Sequence, residues 1–118
     1  IIAREAFQNP VIREIIKRPT YIVPETPQMP SKELENTNPF LSEADLYYSE
    51  MFTVIGGKTG STNAAGNCLT MIVNGIDGHE YICVYYGGEK RANMATELIQ
   101  FFEYAIHSNL NHIRPDTP

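Results

Sequence analysis

The sequence predicts an α/β fold, an antiparallel sheet with helices packed on it. Three observations predict it. Residues 67–73 and 80–86 are apolar, β-prone runs on either side of Asp77-Gly78, a dipeptide suited to a type I′ hairpin turn. Residues from about 92 to 107 place Ala95, Leu98, Phe102, Ala105 and Ile106 on one helical face. Residues 1–18 are helical in character. There Asn9 is a good N-cap, Pro10 is tolerated at the first helical position, and Val11, Ile12, Ile15 and Ile16 form an apolar stripe that Pro19 ends.

Between these blocks the signals are weaker. Residues 20–23 are a short β-prone run. Residues 24–39 hold Pro24, Pro27, Pro30 and Pro39, whose missing backbone donors favour extended loop, with a short strand possible at 32–36. In 40–52 the stretch Ser42-Glu43-Ala44-Asp45 has the composition to cap one helical turn. Both hairpin strands are apolar on both faces, with Leu69, Met71, Ile72 and Val73 answered by Ile82, Cys83, Val84 and Tyr85. That pattern predicts a sheet covered on two sides.

Composition excludes several classes. At 118 residues the chain is one domain at most. Its 14 Asp+Glu outnumber 9 Lys+Arg, so it lacks the basic face that nucleic acid needs. A hydrophobic share of 42% excludes disorder, and no apolar run approaches the roughly 20 residues of a membrane span. His107 and His112 are five apart, which is not the spacing of a helical zinc pair. No metal or other cofactor is expected. With a two-residue turn at Asp77-Gly78, Cys83 would face Ile72 and Cys68 would face Gly87. The two thiols are then too far apart to bridge. The opening Ile1-Ile2-Ala3-Arg4 has no initiator Met and no signal peptide. The expectation is a single partial domain over 1–118, with 109–118 a tail or severed linker.

The chemistry centres on Lys58. Gly57-Lys58-Thr59 is not a phosphate loop, because the Gly required five positions before Gly57 is Phe52. Lys58-Thr59-Gly60 spells the K-T-G motif instead. An ammonium and a hydroxyl side by side on an edge strand can hold a carboxylate. A glycine lets a ligand approach the backbone, and the next backbone N–H, on Ser61, can meet a developing oxyanion.

The surrounding residues carry a resemblance. Ile55-Gly56-Gly57-Lys58-Thr59-Gly60-Ser61-Thr62, followed by Ala65-Gly66-Asn67-Cys68-Leu69, resembles the corresponding run of the serine D-alanyl-D-alanine carboxypeptidases, the low-molecular-mass penicillin-binding proteins. Tyr21-Ile22-Val23-Pro24-Glu25-Thr26 and Asn36-Thr37-Asn38-Pro39-Phe40-Leu41 are similar to the family's strand, loop and N-x-N segment. Gly87, with Arg91 opening the last helix, also fits. The resemblance spans residues 3–106. It implies an incomplete β-lactamase/penicillin-binding-protein transpeptidase-like fold.

The family's function follows as an expectation. A serine nucleophile attacks the penultimate D-Ala carbonyl of a peptidoglycan stem peptide outside the cytoplasmic membrane, forming an acyl-enzyme that β-lactams intercept. By motif match Lys58 and Thr59 bind the terminal carboxylate, Gly60 admits the ligand, Ser61 N–H supplies half the oxyanion hole and Thr62 shapes the pocket floor. Arg91 is a further candidate for the substrate carboxylate. Asn36 and Asn38 are better read as turn caps than as substrate contacts.

Two family elements are missing. No serine here has Lys three positions on, and the S-x-N triplet Ser61-Thr62-Asn63 lies inside the K-T-G element itself. The chain therefore reads as the C-terminal part of a catalytic domain, inactive in isolation, with its nucleophile upstream of Ile1. Two other readings remain: a β-lactamase-type hydrolase fragment, disfavoured by the A-G-x-x-L run, and a non-catalytic carboxylate-binding module. Without the N-terminal half, the apolar strand at 80–86 should leave an open edge, and a homo-oligomer is expected.

Overall fold

The computed structural model describes residues 1–113. Helices α1 (Ile2–Ala6) and α2 (Pro10–Ile16) lead into a small hairpin of β1 (Thr20–Val23) and β2 (Lys32–Glu35). A short helix α3 (Pro39–Ser42) precedes the main sheet of β3 (Phe52–Thr62), β4 (Gly66–Gly75) and β5 (Glu80–Gly88), and α4 (Arg91–Ile113) closes the described chain. The sheet is antiparallel, in the order β3-β4-β5. Helices α1 and α2 lie on one face of it, α3 and α4 on the other. The α/β class with an antiparallel sheet is therefore the one the sequence predicts.

The same local grammar starts α2 and α3. Asn9 Oδ1 accepts from Val11 N at 2.9 Å with Pro10 behind it, and Asn38 Oδ1 accepts from Phe40 N at 3.0 Å with Pro39 behind it. An asparagine satisfies an orphan N–H, and the proline that follows has none to satisfy. The helical turn thus falls at Pro39–Ser42 rather than over Ser42 to Asp45, because Asn38-Pro39 is the stronger start signal.

The core lies between the sheet and α4. Leu69, Met71 and Val73 of central strand β4 pack with Phe40, Phe52, Met94, Ala95, Leu98, Phe102 and Ile106. Phe52 and Phe102 meet with ring centroids 5.3 Å apart. On the opposite face Ile72 and Phe7 are buried beneath the α1–α2 pair.

Four expectations change. The hairpin loop holds three residues, Ile76, Asp77 and Gly78, not two. Gly75 N donates to His79 O at 2.8 Å, Gly78 N donates to Gly75 O at 3.0 Å, and Gly78 sits at φ +85°. This is a type I turn completed by a left-handed glycine, which accommodates the sheet's twist. The register accordingly moves by one: Cys83 faces Met71 rather than Ile72. A bulge between Asn67 and Leu69 puts Asn67, not Cys68, opposite the end of β5, at Gly88. Both thiols are free, as expected.

The last helix runs to Ile113, so residues 109–113 are not a tail; 114–118 lie outside the described residues. Asn109 Nδ2 donates to Asp77 Oδ2 at 2.7 Å, and Leu110 packs on the core, which holds the extra turn in place. Finally, β5 is not covered on both sides. Tyr81, Cys83 and Tyr85 face α4, but Ile82, Val84 and Tyr86 are exposed. Helix α1 reaches β5, but an open groove lies between Ile2 and Ala6 on one side and Val84 and Tyr86 on the other.

Candidate functional site

Strand β3 carries the K-T-G run at the edge of the sheet, paired with β4 through Lys58↔Thr70, Thr59↔Leu69, Gly60↔Cys68 and Ser61↔Asn67. Its three glycines differ in surroundings. A Cβ on Gly56 would stand 2.6 Å from Ile16 O, and one on Gly57 would stand 2.4 Å from Thr70 O and 3.2 Å from Asn38 Nδ2. Gly56 thus lets α2 close on one face, and Gly57 lets the Asn38 loop close on the other. At Gly60 a Cβ would meet nothing within 4 Å. The strand is clamped before the motif and open at it.

Successive strand residues point to opposite faces. Lys58 and Thr59 are therefore neighbours on the edge strand with their side chains on opposite faces of it. Lys58 lines a groove of about 810 Å³ with Ile12, Ile15 and Ile16 of α2 and with Thr70, Val84 and Tyr86 of the sheet. Its Nζ curls back over the edge to donate to Thr59 O at 2.5 Å. Thr59 faces the other way, where its hydroxyl hydrogen-bonds the hydroxyl of Thr37.

The backbone is presented in the same direction. Residues two apart on a strand send their N–H and C=O groups to the same edge. Ser61 N–H consequently lies on the side of the Thr59 carbonyl that receives Lys58. The Thr62 hydroxyl is engaged locally, accepting from Ala65 N at 2.9 Å to close the β3–β4 turn. That contact is a turn bond.

Arg91 is exposed at the start of α4. The start of α4 is tied to the K-T-G end of the sheet, since Asn67, the partner of Ser61, donates through Nδ2 to Glu89 O at 3.2 Å. Arg91 forms no ion pair among the described residues. Lys58, Thr59, Gly60 and Ser61 are thus consecutive on the edge strand, and Arg91 follows two residues after the Glu89 carbonyl that Asn67 holds.

The two asparagines act as caps, as expected. Asn36 Oδ1 accepts from Asn38 N at 2.9 Å, while its Nδ2 donates to Arg18 O at 2.9 Å. Asn38 is wholly buried, and its Nδ2 lies 3.6 Å from Met71 Sδ. The residue that sequence reasoning missed is Thr37, held between them against Thr59. Its position inside N-x-N, flanked by two capping asparagines, was the available signal.

No family model matches the chain, and no curated protein matches it. Among solved structures it is similar to a D-alanyl-D-alanine carboxypeptidase from Mycobacterium tuberculosis H37Rv, with a TM-score of 0.69 and 21% sequence identity. The alignment covers 98% of this chain and 39% of that one. The fold, a mixed α/β arrangement with antiparallel sheets and packed helices, is thus that of part of a carboxypeptidase of this type. At this identity the likeness is one of fold.

Proposed function

We propose that this chain supplies the carboxylate-binding and oxyanion strand of a serine D-alanyl-D-alanine carboxypeptidase acting on peptidoglycan stem peptides at the outer face of the cytoplasmic membrane. One observation carries the reading: the edge strand packs tightly at Gly56 and Gly57, yet is empty at Gly60, where a ligand would lie. The carboxypeptidase-like fold supports it. Lys58 Nζ, already turned to the rim, gives the charge that attracts a terminal carboxylate. Thr59 adds a directed hydroxyl. Ser61 N–H serves the oxyanion of the tetrahedral intermediate, where a preorganised donor is worth most. Arg91, at a helix N-terminus and without an ion-pair partner among the described residues, gains from an anionic partner.

The sequence has no S-x-x-K, so the covalent step belongs to residues outside it. The isolated chain should bind the peptide weakly and should not be acylated. The test is a titration of isotope-labelled chain with N-acetyl-D-alanyl-D-alanine, read at the backbone amides of residues 58–62. Saturable shifts that Lys58→Ala removes, and that the C-terminally amidated peptide does not produce, are expected. Absence of such shifts rejects the reading. A fluorescent penicillin should leave no covalent label on the same chain.

A further inference from the structure

We infer that Thr37 is a positioning residue for the K-T-G strand: its hydroxyl donates to Thr59 Oγ1 and so directs the Thr59 O–H toward a bound carboxylate. This rests on the reading of the strand as a carboxylate site.

Thr37 is held from both sides. Asn36 Nδ2 grips Arg18 O at 2.9 Å, Asn36 Oδ1 takes Asn38 N at 2.9 Å, and Asn38 is buried against Met71 beneath Gly57. A loop residue pinned by neighbours on each side presents its side chain with little freedom left to lose. What it presents is a single hydroxyl, against the single hydroxyl of Thr59.

A hydroxyl has one proton to give and two lone pairs to receive. One proton occupies the contact between the two threonines. If that proton belongs to Thr59, Thr59 has none left for a ligand. If it belongs to Thr37, the Thr59 proton is free to point at the rim. An anion on the rim selects the second arrangement, and the resulting chain Thr37 O–H to Thr59 O–H to carboxylate is polarised in one direction. Lys58 needs no such help, because an ammonium carries three rotatable donors. Lysine supplies the charge and the threonine pair supplies the direction, which also accounts for a hydroxyl residue standing between two capping asparagines.

Thr37 is exposed, so its substitution leaves the core alone. Thr37→Val keeps the branched shape and removes the donor; Thr37→Ser keeps the donor. Each variant is titrated with N-acetyl-D-alanyl-D-alanine as above, and its melting temperature recorded. Thr37→Val should weaken binding by about three- to tenfold, the worth of one hydrogen bond, with melting within a few degrees of the parent. Thr37→Ser should restore parental affinity. Parental affinity in Thr37→Val, or a Thr37→Ser variant as weak as the valine, overturns the inference while the carboxylate site stands. If the parent chain itself shows no shifts, the carboxylate reading fails and this inference falls with it.

Discussion

Arg13 and Glu80 form a two-pronged ion pair that joins α2 to the start of β5, with Nη1 2.8 Å from Oε2 and Nη2 2.6 Å from Oε1. Arg13 Nε also donates to Phe7 O at 2.5 Å, so one guanidinium ties α1, α2 and the sheet together. The hydrogen bonds from Arg13 hold the Glu80 carboxyl below its ordinary range. A depressed carboxylate pKa adds stability above the unfolded-state value and loses it as pH falls through the folded-state value. Glu80 remains 46% exposed, so solvent screens the pair, which contributes about 0.5–1 kcal/mol. Glu80→Gln should lower stability by that amount at pH 7 and by less at pH 3. Denaturant melts at the two pH values check this; an equal loss at both would show that charge is not the cause.

Asp77 anchors the far end of α4. It accepts from Asn109 Nδ2 at 2.7 Å, from His79 N at 3.1 Å and from the Tyr81 hydroxyl. Burial works to raise its pKa, but these hydrogen bonds outweigh it and hold the carboxyl low. Asp77→Ala should therefore fray the last turns of α4. Amide exchange at Asn109, Leu110 and Asn111 should quicken at least tenfold, with the middle of the helix unchanged. In the parent chain the same protection should fade as pH falls below the ordinary aspartate range, since the folded-state pKa is depressed. Unchanged exchange in Asp77→Ala would remove the anchor.

The glycines of β3 should separate folding from binding. Gly57→Ala forces a methyl onto the Thr70 carbonyl and Met71 and should cost about 1–3 kcal/mol. Gly60→Ala meets nothing and should melt like the parent, while losing affinity for N-acetyl-D-alanyl-D-alanine. Thermal melts and the amide titration distinguish the two. A Gly60→Ala chain that binds normally would put the ligand elsewhere.

The thiols should differ in reactivity. Cys83 lies against α4, and burial pushes its thiol up. Cys68 sits at the bulge beside the K-T-G strand, its thiol directed at Ala65 O and Gly66 O. Iodoacetamide at pH 8 should alkylate Cys68 several times faster, because the thiolate is the reacting form. Peptide mapping of partially alkylated chain reads the order, and faster labelling of Cys83 would contradict its burial.

The exposed residues Ile82, Val84 and Tyr86 on edge strand β5 should drive self-association. Light scattering at micromolar concentration should report a dimer or larger, and Val84→Lys should shift it toward monomer. A stable 13.3 kDa monomer in the parent chain would refute this.

Local chemistry was legible in the sequence. Asn9-Pro10 starts a helix because a side-chain cap and a missing donor act within a few residues. Leu98, Phe102 and Ile106 declare their face by spacing alone, and Lys58-Thr59-Gly60 announces itself by composition. What tertiary structure decided were the choices between near-equal local options. Asp77-Gly78 suits a loop of two residues or of three, and Asp77's contacts with Tyr81 and Asn109 accompany the longer one. Residues 109–113 have no strong helical signal of their own and are held by a side chain 32 positions away. Most of all, no local rule places Thr37 against Thr59. Their meeting requires Gly57 to have no side chain and Asn38 to be buried beneath it, so it exists only once the loop has closed on the sheet.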